Sequence, residues 1–185
     1  MNLVALKSHP LLTRFNEDGP WYTSYPAMVA WTPMGHEEYA EALRVWLLGD
    51  GKDKPLHLYL HIPFCAELCW YCACNIVVTN NRAKIQTFLD YMLREIGNLR
   101  TWLRYSGLRA NIREIHFGGG TPSHLDNDQF SQLCDKLETL TGSLHALDEV
   151  AMEIDPRTTT RDNLTHFANL GVTRISFGVQ DFDSA

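Results

Sequence analysis

No run of apolar residues in this sequence approaches the roughly 18 that a membrane-spanning helix needs. The opening stretch, MNLVALKSHPLLTRF, lacks the long apolar core and small-residue cleavage site of a secretory signal. Neither charge sign is concentrated. The 16 Lys and Arg are scattered among 22 Asp and Glu for a net charge of −6, so there is no electrostatic footprint for nucleic acid or an anionic lipid surface. Solenoid repeats and low-complexity tracts are absent, and so is the phosphate loop GxxxxGK[ST]. These absences predict a cytoplasmic protein with neither nucleic-acid nor membrane partners. Cysteine is scarce as well, at five residues in 185. An odd, small number of thiols in a reducing compartment argues against a disulfide framework and for metal ligation or catalysis. What remains is a chain with 45% hydrophobic residues, enough to bury a core as one domain or a large piece of one.

Four of the five cysteines, Cys65, Cys69, Cys72 and Cys74, fall in the single run HIPFCAELCWYCAC. Three thiolates at CxxxCxxC spacing can hold three corners of a [4Fe–4S] cube and leave its fourth iron open to a small molecule. Structural zinc is the competing reading, but zinc modules usually split four ligands between two knuckles well apart in sequence. Cys74 stays open at this level. As a fourth ligand it would close the cube for electron transfer only; as a bystander it would leave the open iron available. Cys134 sits between Leu133 and Leu137 on an apolar helical stripe and reads as a plain buried thiol.

Around this run, periodicity alternates between strand and helix. Residues 1–54 read as an N-terminal irregular and helical extension, with GPWYTSYP and WTPMG followed by a helix over 37–48. Residues 55–185 read as a barrel portion. In PLHLYLHI, Leu56, Leu58, Leu60 and Ile62 alternate with His57, Tyr59 and His61. Ile85, Phe88, Leu89, Met92, Ile96, Leu99 and Leu103 then mark a helix over 82–105. A second strand sets Ile115 and Phe117 against Glu114 and His116. A helix capped near Asp126 or Asn127 buries Phe130, Leu133, Leu137 and Leu140. The third strand sets Val150, Met152 and Ile154 against Ala151, Glu153 and Asp155. A helix over about 160–170 ends at Gly171. The fourth strand, TRISFGVQ, sets Ile175, Phe177 and Val179 against Ser176, Gly178 and Gln180.

Strands separated by helices predict an α/β fold with a parallel sheet, here a partial (β/α) barrel of about four strands with the helices outside. The polar faces would line its interior, and chemistry in such barrels gathers at the C-terminal strand ends. His61 with the cysteine loop, the glycines of GGGTP, Glu153 and Gln180 all reach that rim. Four strands are half of a closed barrel's eight, and the sequence stops a few residues after Gln180. The expectation is therefore the N-terminal part of a longer enzyme, with its last strand an open edge.

Each rim residue admits a plainer reading. GGGTP is either a tight strand-to-helix turn or a place where a ligand approaches bare backbone. Glu153 needs a partner in a partly buried site, which a ribose hydroxyl pair, a ligand ammonium or an internal Arg would supply. Tyr71 either stacks on an adenine or covers the cluster. His57, His61 and His116 lack metal-ligand spacing and read as interior polar packing first, proton handlers second.

YLHIPFCAELCWYCAC, FGGGTP, EIDP and FGVQDF, in that order, resemble the radical S-adenosylmethionine enzymes of the oxygen-independent coproporphyrinogen III oxidase family. GPWYTSYP is similar to that family's GPRYTSYP, so the resemblance runs from about residue 12 to the end; Trp21 stands where the pattern has Arg. The resemblance implies that Cys65, Cys69 and Cys72 bind the [4Fe–4S] cluster and that Cys74 is a family marker rather than a ligand. It implies that Tyr59, Gly119 and Glu153 contact the cluster-bound S-adenosylmethionine, and that Tyr71, Gly120, Thr121 and Gln180 contact a second S-adenosylmethionine. One electron from the cluster would cleave the sulfonium to methionine and a 5′-deoxyadenosyl radical. That radical would take a hydrogen from a substrate propionate, which then loses CO2 and becomes a vinyl group. Done twice, this turns coproporphyrinogen III into protoporphyrinogen IX, with the protein orienting cofactors and excluding side reactions. Also implied are an electron donor such as flavodoxin or ferredoxin and a monomeric full-length enzyme, with this chain alone inactive. The readings set against this one are a haem chaperone or an anaerobic haem-modifying enzyme of the same family, and a zinc-stabilised structural module. CAC favours the oxidase over the chaperone, in which the position of Cys74 is typically aromatic.

Overall fold

The computed structural model describes residues 30–70 and 72–179 together with Pro10 and Arg14, so Trp21, Tyr71 and Gln180 lie outside the described residues. The chain divides into two compact units, Met1–Glu41 and Ala42–Ala185. The division falls within the first described helix, α1 (His36–Leu48). In the second unit the order is β1 (Leu56–Ile62), β2 (Phe64–Cys65), β3 (Val77–Val78), α2 (Arg82–Tyr105), β4 (Ile112–Gly119), α3 (Asn127–Thr141), β5 (Glu149–Glu153), α4 (Arg161–Asn169) and β6 (Arg174–Ser176). Short 3₁₀ turns at Pro122–His124 and Leu144–Ala146 flank α3. All pairings are parallel, and the main sheet has the order β1-β4-β5-β6, each strand beside the next across a helical crossover. This is the expected α/β architecture.

The register aligns Leu60 with Phe117, Phe117 with Met152, and Met152 with Ile175, so one row of apolar side chains crosses the sheet on a single face. On that face Leu60, Ile62, Ile115, Phe117, Val150 and Met152 are buried against Ile85, Leu89 and Ile96 of α2 and Phe130, Leu133 and Leu137 of α3. Phe130 sits at the centre. Its ring meets Phe117 edge-on at 5.2 Å and Phe167 of α4 at 5.0 Å, which ties sheet, α3 and α4 together. Each such side chain contributes roughly 1.5–3 kcal/mol on burial. The opposite face carries His57, Tyr59, Glu114, His116 and Glu153, none of them fully buried.

Helix starts follow the sequence closely. Asn81 accepts from the Lys84 amide ahead of α2, Asp126 and Gln129 form a reciprocal capping box on α3, and Thr160 and Asn163 form one on α4. Gly171 follows α4 with φ +98°, and a Cβ there would sit 3.0 Å from that of Leu144. The last strand departs from expectation. Only Arg174–Ser176 pairs with β5, and Ile175, Phe177 and Val179 are exposed rather than buried. Beyond Ser176 the chain leaves the ladder, so period-2 alternation there no longer corresponds to two faces of a sheet. The β2–β3 pair also has no sequence signal, because two residues are too few for any period.

Polar contacts link neighbouring strands near their N-terminal ends: His57 with Glu114 at 2.8 Å, and the ion pairs of Arg113 with Asp148 and of Arg174 with Glu149 at 2.7 Å. The hydrogen bonds from Arg174 hold the Glu149 carboxyl below its ordinary value, the Arg174 charge adds to this, and partial desolvation opposes it. A depressed carboxylate contributes stability above its unfolded pKa and loses it as pH falls through the folded value. Two outcomes follow. Phe130→Ala is expected to cost about 3–5 kcal/mol in urea denaturation. The stability gap between wild type and Arg174→Met is expected to be steady near neutrality and to close as pH drops below about 4.3, the unfolded glutamate value.

Candidate functional site

The candidate site is built where the β1–β4 ladder runs on past its strand ends. Gly120 donates to the Ile62 carbonyl at 2.9 Å and Thr121 to that of Phe64 at 2.9 Å, on one side of the segment leading to the first cysteine. On the other side Val77 donates to Pro63 at 2.6 Å and Thr79 to Cys65 at 3.0 Å. Cys65 is therefore clamped between the glycine turn and β3. Its Sγ lies 3.2 Å from Thr121 Oγ1. Burial pushes the Cys65 thiol up, the Thr121 hydrogen bond partly offsets this, and the neighbouring Cys72 and Cys69 push it further up. Cys69 and Cys72 are partly buried on the loop that follows, where the Cys72 amide donates to the Cys69 carbonyl at 3.1 Å.

Gly120 explains the glycine run. A Cβ at that position would lie 2.9 Å from the Pro63 carbonyl and 3.0 Å from Cys65 Sγ. The backbone thus passes the thiol at a distance only glycine allows.

Across the interior face, Glu153 at the end of β5 accepts from His116 Nε2 at 3.2 Å and from the Gly119 amide at 3.3 Å. The Tyr59 ring stacks on His116 with centroids 5.6 Å apart. Its hydroxyl lies 3.3 Å from His61 Nδ1, and His61 Nε2 donates to the Asn75 carbonyl at 3.0 Å. Because a carbonyl only accepts, Nε2 is the donor in that contact. Burial raises the Tyr59 phenol, helped by the charge of Glu153. Among the expected site residues, Tyr59, Gly119, Gly120, Thr121 and Glu153 thus gather with Cys65 at one rim. Tyr71 and Gln180 fall outside the described residues.

Sequence reasoning did not find the partners. His116 was legible only as a polar residue on the interior face, and its hydrogen bond to Glu153 joins neighbouring strands 37 residues apart. Thr121 as the Cys65 partner spans 56 residues. A cavity of about 830 Å³ opens beside this rim, lined by Cys69, Gly120, Thr121, Glu153, Arg157 and the Ser176–Val179 stretch, among others.

All five cysteines are free thiols. No three Cys, His, Asp or Glu side chains among the described residues converge on one ion-sized point. The fit to an iron–sulfur cluster rests instead on three unoxidised thiols of one loop, a glycine cradle against the first of them, and an adjoining cavity large enough for a nucleoside-sized ligand.

A parallel α/β sheet with CxxxCxxC on the loop after its first strand defines a class, and the Radical SAM superfamily profile matches residues 59–185. The oxygen-independent coproporphyrinogen III oxidase of Pseudomonas aeruginosa is 38% identical over 179 residues, covering 94% of this chain and 37% of that protein. Its Mannheimia haemolytica counterpart is 37% identical over 148 residues, covering 79% of this chain and 94% of that one. The solved structure of coproporphyrinogen III oxidase (HemN) from Escherichia coli, described as a radical SAM enzyme, superposes with a TM-score of 0.75 at 33% identity, over 88% of this chain and 36% of that one. The chain belongs to the Radical SAM superfamily and, within it, to the oxygen-independent coproporphyrinogen III oxidase family. It spans just over a third of the length of the Pseudomonas aeruginosa and Escherichia coli relatives. The superfamily implies a [4Fe–4S] cluster and S-adenosylmethionine. No helix among the described residues is long and apolar enough to cross a membrane.

The Gly120 contact sets an expected outcome. Gly120→Ala should fold with a penalty of about 1–3 kcal/mol from overpacking, while alkylation of Cys65 in the apoprotein becomes several-fold faster as the clamp is forced open. Peptide-resolved mass spectrometry of labelled thiols checks this.

Proposed function

We propose that this chain forms the cofactor-binding part of an oxygen-independent coproporphyrinogen III oxidase, which converts two propionate side chains of coproporphyrinogen III to vinyl groups and yields protoporphyrinogen IX. The observation that carries the reading is the clamp that sets Cys65 against Gly120 and Thr121, one strand away from the Gly119–Glu153 pair. Cys65, Cys69 and Cys72 would hold a [4Fe–4S] cluster, and Cys74 would not ligate it. When bound, the cluster and S-adenosylmethionine supply one-electron cleavage of a sulfonium and a hydrogen-abstracting radical.

The chain's own residues bind and orient. Glu153, fixed by His116 and the Gly119 amide, presents carboxylate oxygens to the hydroxyls or ammonium of the first S-adenosylmethionine. Tyr59, raised above its ordinary value, stays protonated at neutral pH and presents a hydroxyl rather than a charge. Gly120 and Thr121, with Tyr71 and Gln180, would face a second S-adenosylmethionine. Coproporphyrinogen III is the substrate and a flavodoxin or ferredoxin the electron donor in this reading.

Anaerobic reconstitution tests it. The chain should take up about four iron and about four sulfide, lose them on Ser substitution of Cys65, Cys69 or Cys72, and keep them in Cys74→Ser. With dithionite and S-adenosylmethionine it should release 5′-deoxyadenosine. Binding of zinc without iron or sulfide, or full cluster loss in Cys74→Ser alone, would contradict the reading.

A further inference from the structure

Beyond Glu153 the chain turns through Ile154–Asp155–Pro156–Arg157, and this turn reaches back to the cysteine loop. The Arg157 guanidinium grips its own near neighbour: Nε lies 3.0 and 3.2 Å from the two Asp155 carboxylate oxygens, Nη2 lies 2.7 Å from Oδ2, and the Arg157 amide donates to Oδ1 at 2.9 Å. Asp155 is in turn tied to the sheet rim, since its amide donates to Ser123 Oγ at 3.2 Å. From this fixed base Nη2 also reaches Cys69 Sγ at 3.7 Å, a contact between residues 88 apart in sequence. A planar guanidinium can serve a carboxylate and a sulfur at once; a lysine ammonium lacks that geometry. Both residues line the cavity beside the rim.

We propose that Arg157, anchored by Asp155, is a positioning residue that donates to the Cys69 sulfur and raises the reduction potential of the cluster bound by the cysteine loop. The inference rests on the cofactor reading above. Its physics is separate. Hydrogen bonds to ligating sulfur and nearby positive charge favour the reduced, more negative state of an iron–sulfur centre. The Asp155 carboxylate acts in the opposite direction, and its charge is felt at Cys65. The pair therefore works as an oriented dipole with its positive end on the cysteine loop. Removing either end has opposite consequences, which a merely structural clasp would not produce.

The test is a redox titration of the reconstituted full chain, followed by electron paramagnetic resonance, alongside iron and sulfide analysis. At a fixed ambient potential Arg157→Gln should lower the reduced-to-oxidised ratio about tenfold, equivalent to about 59 mV for a one-electron couple. Asp155→Asn should raise that ratio, and Arg157→Lys should fall between wild type and Arg157→Gln. An unmoved potential in Arg157→Gln at full iron content, or shifts of the same sign in Arg157→Gln and Asp155→Asn, would overturn the proposal. Where Arg157→Gln does not retain iron, Asp155→Asn decides: a raised ratio supports the proposal and any other result overturns it. A wild-type chain that takes up neither iron nor sulfide instead overturns the cofactor reading, which separates the two failures.

Discussion

Everything at the rim depends on the parallel ladder between β1 and β4 continuing beyond regular strand geometry. Seven register pairs align the two strands, and the amides of Gly120 and Thr121 then prolong the pairing onto Ile62 and Phe64. Those two bonds convert a buried apolar sheet into a platform for the first thiol of the cysteine run. The apolar row through Leu60, Phe117 and Met152 fixes the register, since a one-residue slip would turn the whole row toward the interior face. Burial on the helix side thus decides, at a distance, which backbone groups meet Cys65.

The interior face follows from the same alternation. Side chains too polar for the core point the other way, and there they find partners: His116 with Glu153, Tyr59 over His116, His61 with the backbone carbonyl of Asn75. The chain from Asn75 through His61 and Tyr59 to His116 and Glu153 links the far end of the cysteine loop to β5. No buried side-chain nitrogen or oxygen among the described residues lacks a partner. A satisfied polar network of this kind holds geometry without a penalty for unpaired groups.

Much of this was legible from the residues. Strict alternation in LHLYLHI and the 3.6-residue stripe over 82–105 correspond to β1 and α2, and the capping residue Asp126 marks where α3 begins. The rim position of Cys65, Gly119, Gly120, Thr121 and Glu153 was legible because each lies at the end of a strand or just past it. What could not be read were contacts made by tertiary closure. Arg157 meets Cys69, and His116 meets Glu153, only after strands far apart in sequence are laid side by side. The paired length of β6 was also misjudged, because alternation in TRISFGVQ persists past the point where hydrogen bonding to β5 stops.

Cys134 lies in the core of α3 at 2% exposure, with its thiol pushed up to about 12 by burial and by Asp135 and Glu138. Such a sulfur offers almost no thiolate to oxidants or electrophiles near neutral pH. The molecule thereby segregates its thiols in space: one inert in the hydrophobic interior, and four within the single run 65–74. Thiol oxidation is thus directed to that run rather than to the hydrophobic core.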